Sequence, residues 1–482
     1  MQLRELLGGV EVLELSGDAH VDVADIVLDS RRAHQGALFC CVPGSHFDGH
    51  DLAAGAVDAG AVALLTERTV PVPVPQARVR AVREAVGPLA SRLHGDPSRD
   101  LRVLGVTGTN GKTTTTYLLE AITRAALERS GLIGTSGARI GDEPEPLDFT
   151  TPEAPDLQAL FARMRDASVR TVAMEVSSHS LAQRRVDGTH FAVGCFTNLS
   201  RDHLDFHGSL DAYLAAKARL FDLSERGVVN IGDPAGAELV ERAAIPLVSY
   251  GASPDAAIRM RDLSSGRDGS SFVIEHGGSE FDVHTPLLGV FNAVNALAAA
   301  ATALVAGFDE RPIAEGIAGM VSVPGRFEQI DGRRGFSVFV DYAHSPGALA
   351  TALDTARDLT DGRVLAVFGC GGDRDRDKRP EMGAAVGERA DVVVLTSDNS
   401  RSEDPATIAA DAARGLDARG SSYTIELDRR LAIRTALAEA RPGDVVMILG
   451  KGAEQGQEAA GSVQPFDDRT VAREELEALA CS

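Results

Sequence analysis

Lysine is almost missing from this chain. Of 48 basic residues in 482, only Lys112, Lys217, Lys378 and Lys451 are lysine, and the rest are arginine. Such a bias marks a coding background that favours arginine. A lysine kept against it stands either by accident on the surface or where a compact, modifiable amine is needed that a planar fork of fixed charge cannot replace. Cysteine is scarce too. Cys40, Cys41, Cys195, Cys370 and Cys481 form no CxxC pair and are odd in number, which fits free thiols in a reducing compartment better than a disulfide scaffold. Met1 to Glu14 lacks a basic segment followed by a long apolar run, and no stretch reads as a membrane span. A cytoplasmic protein without membrane insertion is therefore expected. Positive charge is in deficit, with a formal net charge of -22. A field of that sign opposes nucleic-acid and anionic-membrane binding, while a local arginine or helix N-terminus can still hold a small anion.

What is present is globular. Apolar residues make up 44% and charged residues 24%, and the length calls for two or three cores. Apolar runs alternate with helical patterns. Leu101 to Thr107, Val172 to Val176, Val193 to Thr197, Val228 to Ile231 and Pro246 to Tyr250 read as strands, as do Ser337 to Tyr342, Val364 to Phe368, Val392 to Thr396 and Val445 to Leu449. The alternation predicts an α/β fold with mostly parallel sheets, and ligands at the strands' carboxyl ends. Breaks at His94 to Asp100 and at Val323 to Arg326 divide the chain into 1–97, 98–325 and 326–482.

The run from Gly105 to Thr114, Gly-Val-Thr-Gly-Thr-Asn-Gly-Lys-Thr-Thr, follows an apolar strand and opens a helix. Backbone N–H groups at Gly108, Thr109, Asn110 and Gly111 can cradle phosphate, Lys112 can reach terminal phosphates and Thr113 can touch Mg²⁺. The strict phosphate-loop pattern has glycine at position 106, which is valine here. Glu175 ends a buried strand, where a carboxylate is costly unless paired or metal-bound. His203 and His207 are four apart. Zinc is conceivable, but no cysteine lies near and no glutamate stands between them, so magnesium chemistry fits better. Leu210, Tyr213, Leu214, Lys217, Leu220 and Phe221 share a helical stripe, which places Lys217 on the apolar face. An amine there must be paired, neutralised, modified or snorkelling at the stripe's edge. Three polar loops, Gly369 to Pro380, Asp398 to Arg401 and Gly450 to Glu454, each follow a strand and are expected on one face. All four lysines lie in or beside these stretches.

Together these motifs resemble the Mur ligase family, and within it the MurE type, along nearly the whole chain. The phosphate loop is specific for the wider family. Asp29-Ser30-Arg31, Thr150-Thr151-Pro152, Ser177 to Val186, Gly369 to Pro380 and Asp398 to Arg401 are specific for the type. The resemblance implies a central phosphate-loop domain, a Rossmann-like C-terminal domain and an ATP- and Mg²⁺-dependent ligase. Its substrates would be UDP-N-acetylmuramoyl-L-alanyl-D-glutamate and a diamino acid, and a monomer is expected. By the same resemblance Asp29, Ser30 and Arg31, with the Gly44 to Gly49 loop, face the uridine nucleotide. Thr150, Thr151, Ser177, Gln183 and Arg185 face the muramoyl-dipeptide. Gly108 to Thr114, Asn292, Asn295, Arg326, Asp341 and His344 form the ATP site. Lys112, Glu175, His203 and Lys217 are the catalytic set, and Thr113, Glu175, His203 and Lys217 hold metal, with Lys217 as a carbamate. Arg374, Asp398, Asn399, Arg401, Gly450 and Glu454 take the amino acid.

Three positions depart from the family pattern. Ser400 replaces the usual proline, Ala453 the usual histidine and Gly347 the usual aspartate. Arg401 is kept, and a guanidinium can grip a distal carboxylate bidentately. Diaminopimelate is thus the expected amino acid. L-lysine, another amino acid or a non-catalytic nucleotide-binding role are the rivals.

Overall fold

The computed structural model describes residues 1–44, 47–330 and 335–480. Within the Gly44 to Gly49 loop, Ser45 and His46 lie outside the described residues, as does Cys481. Among the described residues, Cys40, Cys41, Cys195 and Cys370 are all buried free thiols, and no helix is long and apolar enough to cross a membrane.

Three α/β sheets follow one another along the chain. In the first, the strands Asp25–Val27, Ala37–Cys40, Ala63–Thr66 and Gln76–Arg78 run parallel, and Glu14–Ser16 closes the edge antiparallel. The central sheet has eleven strands. Its parallel middle is ordered Ser130–Gly134, Thr171–Glu175, Arg102–Thr107, Phe191–Phe196, Ser224–Asn230, Leu247–Gly251 and Ile258–Gly266. Antiparallel strands continue it on both sides: Gly269–His276 and Ser279–Thr285 at one end, Gly137–Ile140 and Glu143–Glu145 at the other. The third sheet is ordered Glu328–Ile330, Ser337–Asp341, Val445–Leu449, Val364–Phe368, Val392–Leu395 and Tyr423–Ile425, parallel except for the first pair. Val364–Phe368 and Val445–Leu449 are buried along their whole length, as strands covered by helices on both faces must be. The strands expected from the sequence are observed within two residues of their expected spans, except that Ser224–Asn230 starts four residues earlier.

Three glycines bring one helix close to the central sheet. Gly105, Gly194 and Gly227 sit side by side in register on adjacent strands. A Cβ at Gly105 or Gly194 would lie 3.1 Å from the Leu220 side chain, and one at Gly227 would lie 2.7 Å from Phe221. The helix Leu210–Asp222 fills this trough. On the opposite face the helix Val290–Val305 is buried from Asn295 to Ala303, its alanines allowing close approach to sheet and phosphate-loop helix.

The first and central domains are packed tightly. A side chain at Gly87 would strike the Asp187 carbonyl. Arg184 pairs with Glu84 at 2.7 Å and Arg83 with Glu153 at 2.5 Å across the same seam.

Candidate active site

The phosphate loop connects the strand Arg102–Thr107 to the helix Lys112–Ala125. Gly108 and Gly111 have φ of 151° and 87°. Side chains at these positions would also strike the Thr197 hydroxyl and the Asn295 amide oxygen. Conformation and space therefore both demand glycine. The neighbouring strand's extension fixes the loop: the Thr109 N–H donates to the Asn198 carbonyl and the Asn110 N–H to Asn198 Oδ1, both at 2.9 Å. Lys112 Nζ donates to the carbonyls of Gly108 and Thr109 at 2.8 and 2.7 Å. Asn295, which stands beside Gly111, in turn donates from Nδ2 to Asn292 Oδ1 at 3.1 Å.

Glu175 is 1% exposed. Its Oε1 accepts the Thr113 hydroxyl at 3.0 Å and the Thr135 N–H at 2.9 Å. Arg326, arriving from the third domain, donates to the same Thr113 hydroxyl at 2.8 Å and lies 4.3 Å over the Tyr342 ring. Beside Glu175, the Thr135 hydroxyl meets that of Thr150 at 3.3 Å. Thr151 donates to the Glu175 carbonyl at 2.9 Å and accepts from the Ser177 N–H at 3.2 Å. Arg185 pairs with Glu153 at 3.0 Å and stacks 4.5 Å over Phe149. The Gln183 Oε1 nearby is buried with no hydrogen-bond partner among the described residues.

Lys217 is 1% exposed and points at the Tyr213 ring, 4.3 Å from Nζ. Among the described residues no carboxylate pairs with it. Burial pushes its pKa well down, nearby Lys112 lowers it further, and Asp202 opposes the shift. The helical stripe thus delivers a buried amine to the phosphate site. His203 caps the short helix Leu204–His207 in the left-handed region, φ 53°. Burial pushes its pKa down to about 3, so its ring is neutral near pH 7. His203 and His207 are not a bare pair: His179 stands against both, with ring centroids 4.7 and 5.5 Å away. His207 bonds to the Ser178 hydroxyl at 2.9 Å. Among the described residues no group of three or more His, Cys, Asp or Glu side chains could hold a metal ion.

The third domain brings two further groups. Asp341, at a strand end, accepts the N–H groups of Phe327 and Ala343 at 2.7 and 2.8 Å. His344 faces Asp202 at 3.5 Å. Asp398, Asn399, Gly450 and Glu454 gather around Lys451, which is fully buried. Lys451 Nζ donates to Asn399 Oδ1 at 3.0 Å and to Glu454 at 2.9 Å, and lies 3.9 Å from Asp398. Arg401, at φ 51°, donates to the Gly372 carbonyl at 2.7 Å. Among the described residues Arg374 bonds only to the neighbouring Asp373 carbonyl, at 3.2 Å, but its charge reaches His179 of the central domain. Asp29, Ser30 and Arg31 stand apart on the first domain, where Asp29 and Arg31 pair with each other at 2.6 Å.

Several residues that organise the site are visible only in three dimensions. Asp202 is one. Arg429 is another: it is fully buried, pairs with Asp468 at 2.6 Å and donates to the carbonyls of Ser397 and Leu449, tying together the strand ends that carry Asp398 and Gly450. Arg379, 1% exposed, holds Glu403 at 2.8 Å and Asp411 at 3.1 Å under the Gly369 to Pro380 loop. In the sequence Arg379 is one basic residue among several in the charged Gly369 to Pro380 loop, and Arg429 one arginine at the start of a helix.

A phosphate-loop sheet, flanked by a domain at each end and joined by an arginine from the third domain, defines a three-domain nucleotide-using α/β enzyme. Residues 22–93 match the Mur ligase family catalytic domain, 106–303 the Mur ligase middle domain and 325–452 the Mur ligase glutamate ligase domain. The UDP-N-acetylmuramoyl-L-alanyl-D-glutamate--2,6-diaminopimelate ligase of Streptomyces coelicolor is 45% identical over 474 residues, covering 95% of this chain and 93% of its own. The enzyme of that name from Geobacillus thermodenitrificans is 43% identical over 482 residues, covering 98% and 99%. A solved structure of a protein with this name superposes with a TM-score of 0.71 at 34% identity, covering 100% of this chain and 99% of the other. The chain belongs to the Mur ligase family, and within it to the MurE type.

Proposed function

We propose that this protein joins diaminopimelate to UDP-N-acetylmuramoyl-L-alanyl-D-glutamate with the energy of ATP, in the cytoplasm, as a step of peptidoglycan precursor synthesis. Full-length relatives bearing that name support it. The observation that carries it is the arm from Arg326 to Tyr342. Arg326 touches Thr113 of the phosphate-loop helix, while Tyr342 packs against Gly452, next to the buried Lys451 that holds Asn399 and Glu454. One third-domain segment therefore links the phosphate loop to the cluster around Lys451, which supports the reading of these two places as the ATP site and the amino-acid pocket.

In this reading the glutamate side-chain carboxylate attacks the γ-phosphorus of ATP. The bond to the β–γ bridging oxygen breaks, leaving an acyl phosphate and ADP. The neutral amine of diaminopimelate then attacks the acyl carbon, the carbon–oxygen bond to phosphate breaks, and phosphate and a proton leave. Lys112 and the loop amides hold negative charge that spreads over the transferring group. Arg326 adds a second cation from the third domain. Arg185, aimed by Glu153, and Thr150, Thr151, Ser177 and Gln183 hold the dipeptide, and Asp29 to Arg31 the uridine end. Asn292 and Asn295 flank the adenine side, with Asp341 and His344 facing the nucleotide. Arg401 grips the distal carboxylate of the amino acid, with Arg374, Asp398, Asn399, Gly450 and Glu454 around it.

The donor set fits Mg²⁺: Thr113 and Glu175 place two hard oxygens 3.0 Å apart, and the neutral His203 ring offers a lone pair. When bound, Mg²⁺ neutralises phosphate charge. Lys217 joins this set as a carbamate. Its uncharged amine adds CO₂ and releases a proton, which places an anionic carbamate where a neutral amine stood, opposite in charge to nearby Lys112.

Phosphate release from ATP, measured with the UDP-muramoyl-dipeptide and a panel of amino acids, tests the reading. Release with diaminopimelate is expected. No release with any amino acid overturns the enzyme assignment, and release with L-lysine alone overturns the substrate.

A further inference from the structure

Two of the four lysines lie outside the chemistry above, and one of them, Lys378, crosses a domain seam. Lys378 opens the third-domain helix Lys378–Gly387. Its Nζ donates to Asp202 Oδ1 of the central domain at 3.3 Å, from a site where its side chain is only 13% exposed. The other Asp202 oxygen faces His344 Nε2 of the third domain and His203 Nε2 of the central domain, each at 3.5 Å. The Asp202 side chain is 5% exposed. Its charge also reaches Lys112 and Lys217. One buried carboxylate thus meets nitrogen bases from two domains beside the phosphate loop. A carboxylate stripped of water in this way is costly unless its partners all arrive, so seating of the third domain and the charge balance of the phosphate site are coupled through one side chain.

Resting on the ligase reading above, we propose that Asp202 is a positioning residue: with Lys378 and His344 it clasps the third domain onto the phosphate site and so places the amino-acid pocket against the activated substrate. The clasp explains why position 378 keeps a lysine. A single compact ammonium reaches a carboxylate already facing two imidazoles, whereas a guanidinium presents a wider planar fork that the seam must move to admit. The contact acts on the step needing both domains and not on binding of the UDP-substrate, whose nucleotide end lies on the first domain.

The test compares wild type, Lys378→Ala, Lys378→Arg, Asp202→Asn and the Asp202→Asn/Lys378→Ala double variant. Calorimetric binding of UDP-N-acetylmuramoyl-L-alanyl-D-glutamate is measured beside steady-state kinetics with ATP and diaminopimelate. Lys378→Ala is expected to raise the KM for diaminopimelate about tenfold and to lower kcat at least as much, with the Kd for the UDP-substrate unchanged; Lys378→Arg should restore only part of the loss. The double variant should be no slower than Asp202→Asn alone, because both changes break one contact. The clasp is overturned if Lys378→Ala keeps wild-type kinetics, if the two losses multiply, or if UDP-substrate binding weakens in step with kcat. Should Asp202→Asn not fold, the kinetics of Lys378→Ala decide alone. An inactive wild type that still binds the UDP-substrate would count instead against the ligase reading.

Discussion

Arg326 of the third domain shares the Thr113 hydroxyl with Glu175 of the central one: the guanidinium donates at 2.8 Å and the hydroxyl donates onward at 3.0 Å. Stacking on Tyr342 sets the guanidinium plane. A lysine can supply the charge but neither the stacked plane nor the fork. Arg326→Lys is expected to lower kcat by roughly 10²- to 10³-fold, the size of losing one preorganised donor. Affinity for the UDP-substrate should hold, as steady-state kinetics and calorimetry together would report.

Lys217→Ala should lose activity on the order of 10²-fold or more, since a charge-stabilising group at the transferring phosphoryl is removed. Short carboxylates added to the assay should restore part of it, by occupying the space of the carbamate. Full activity of this variant without them would remove the carbamate from the mechanism.

That amine was legible in the sequence, and so was the phosphate loop. Both signals are local: a glycine at a left-handed position before Lys112, and a lysine on the stripe of one helix. Asp202 was not legible, because its meaning comes from Lys378, 176 residues away, and from His344. Arg429 was hidden likewise, since nothing near it in the chain announces Asp468. The first sheet escaped for another reason. Its strands are three or four residues long, too short to show a period. The antiparallel strands from Gly269 to Thr285 were lost in the alternating pattern that revealed the parallel sheets.

His203 and His207 make stability depend on pH in a fixed direction. Burial lowers their folded pKa values to about 3 and about 4, below the ordinary 6.5. Between those limits the unfolded chain binds more protons, so stability falls as pH is lowered from about 6.5 toward 4 and is level above that window. Thermal unfolding from pH 8 to pH 4 should show a declining Tm below about 6.5. A His203→Gln/His207→Gln variant should decline less steeply, and an equal slope would assign the effect elsewhere.

Arg429 and Asp468 are both fully buried. Removing one partner strands the other charge, a loss of about 3–5 kcal/mol for pairs of this kind. Arg429→Met should lower the denaturant midpoint accordingly. It also frees the Ser397 and Leu449 carbonyls, so any folded fraction should bind diaminopimelate more weakly while ATP binding is kept.

In the proposed reading Arg401 selects the amino acid. Its Nη1 is engaged by the Gly372 carbonyl at 2.7 Å and its Nε lies 3.4 Å from Glu458. Nη2 has no partner among the described residues and remains for a substrate carboxylate. The backbone around it is strained but clamped. Arg401 sits at φ 51°, its N–H donates to the Glu458 carbonyl at 3.1 Å and its carbonyl accepts from Ala460 at 2.7 Å. The hairpin of Gly456–Ala459 and Ser462–Pro465 therefore supplies the rigidity that a proline at position 400 would give. Arg401→Ala should raise the KM for diaminopimelate by roughly 10²-fold, as expected for loss of a charge-assisted carboxylate contact. It should leave the poor use of L-lysine unchanged, because lysine has no distal carboxylate to lose. Equal losses on both amino acids would place the distal carboxylate away from Arg401.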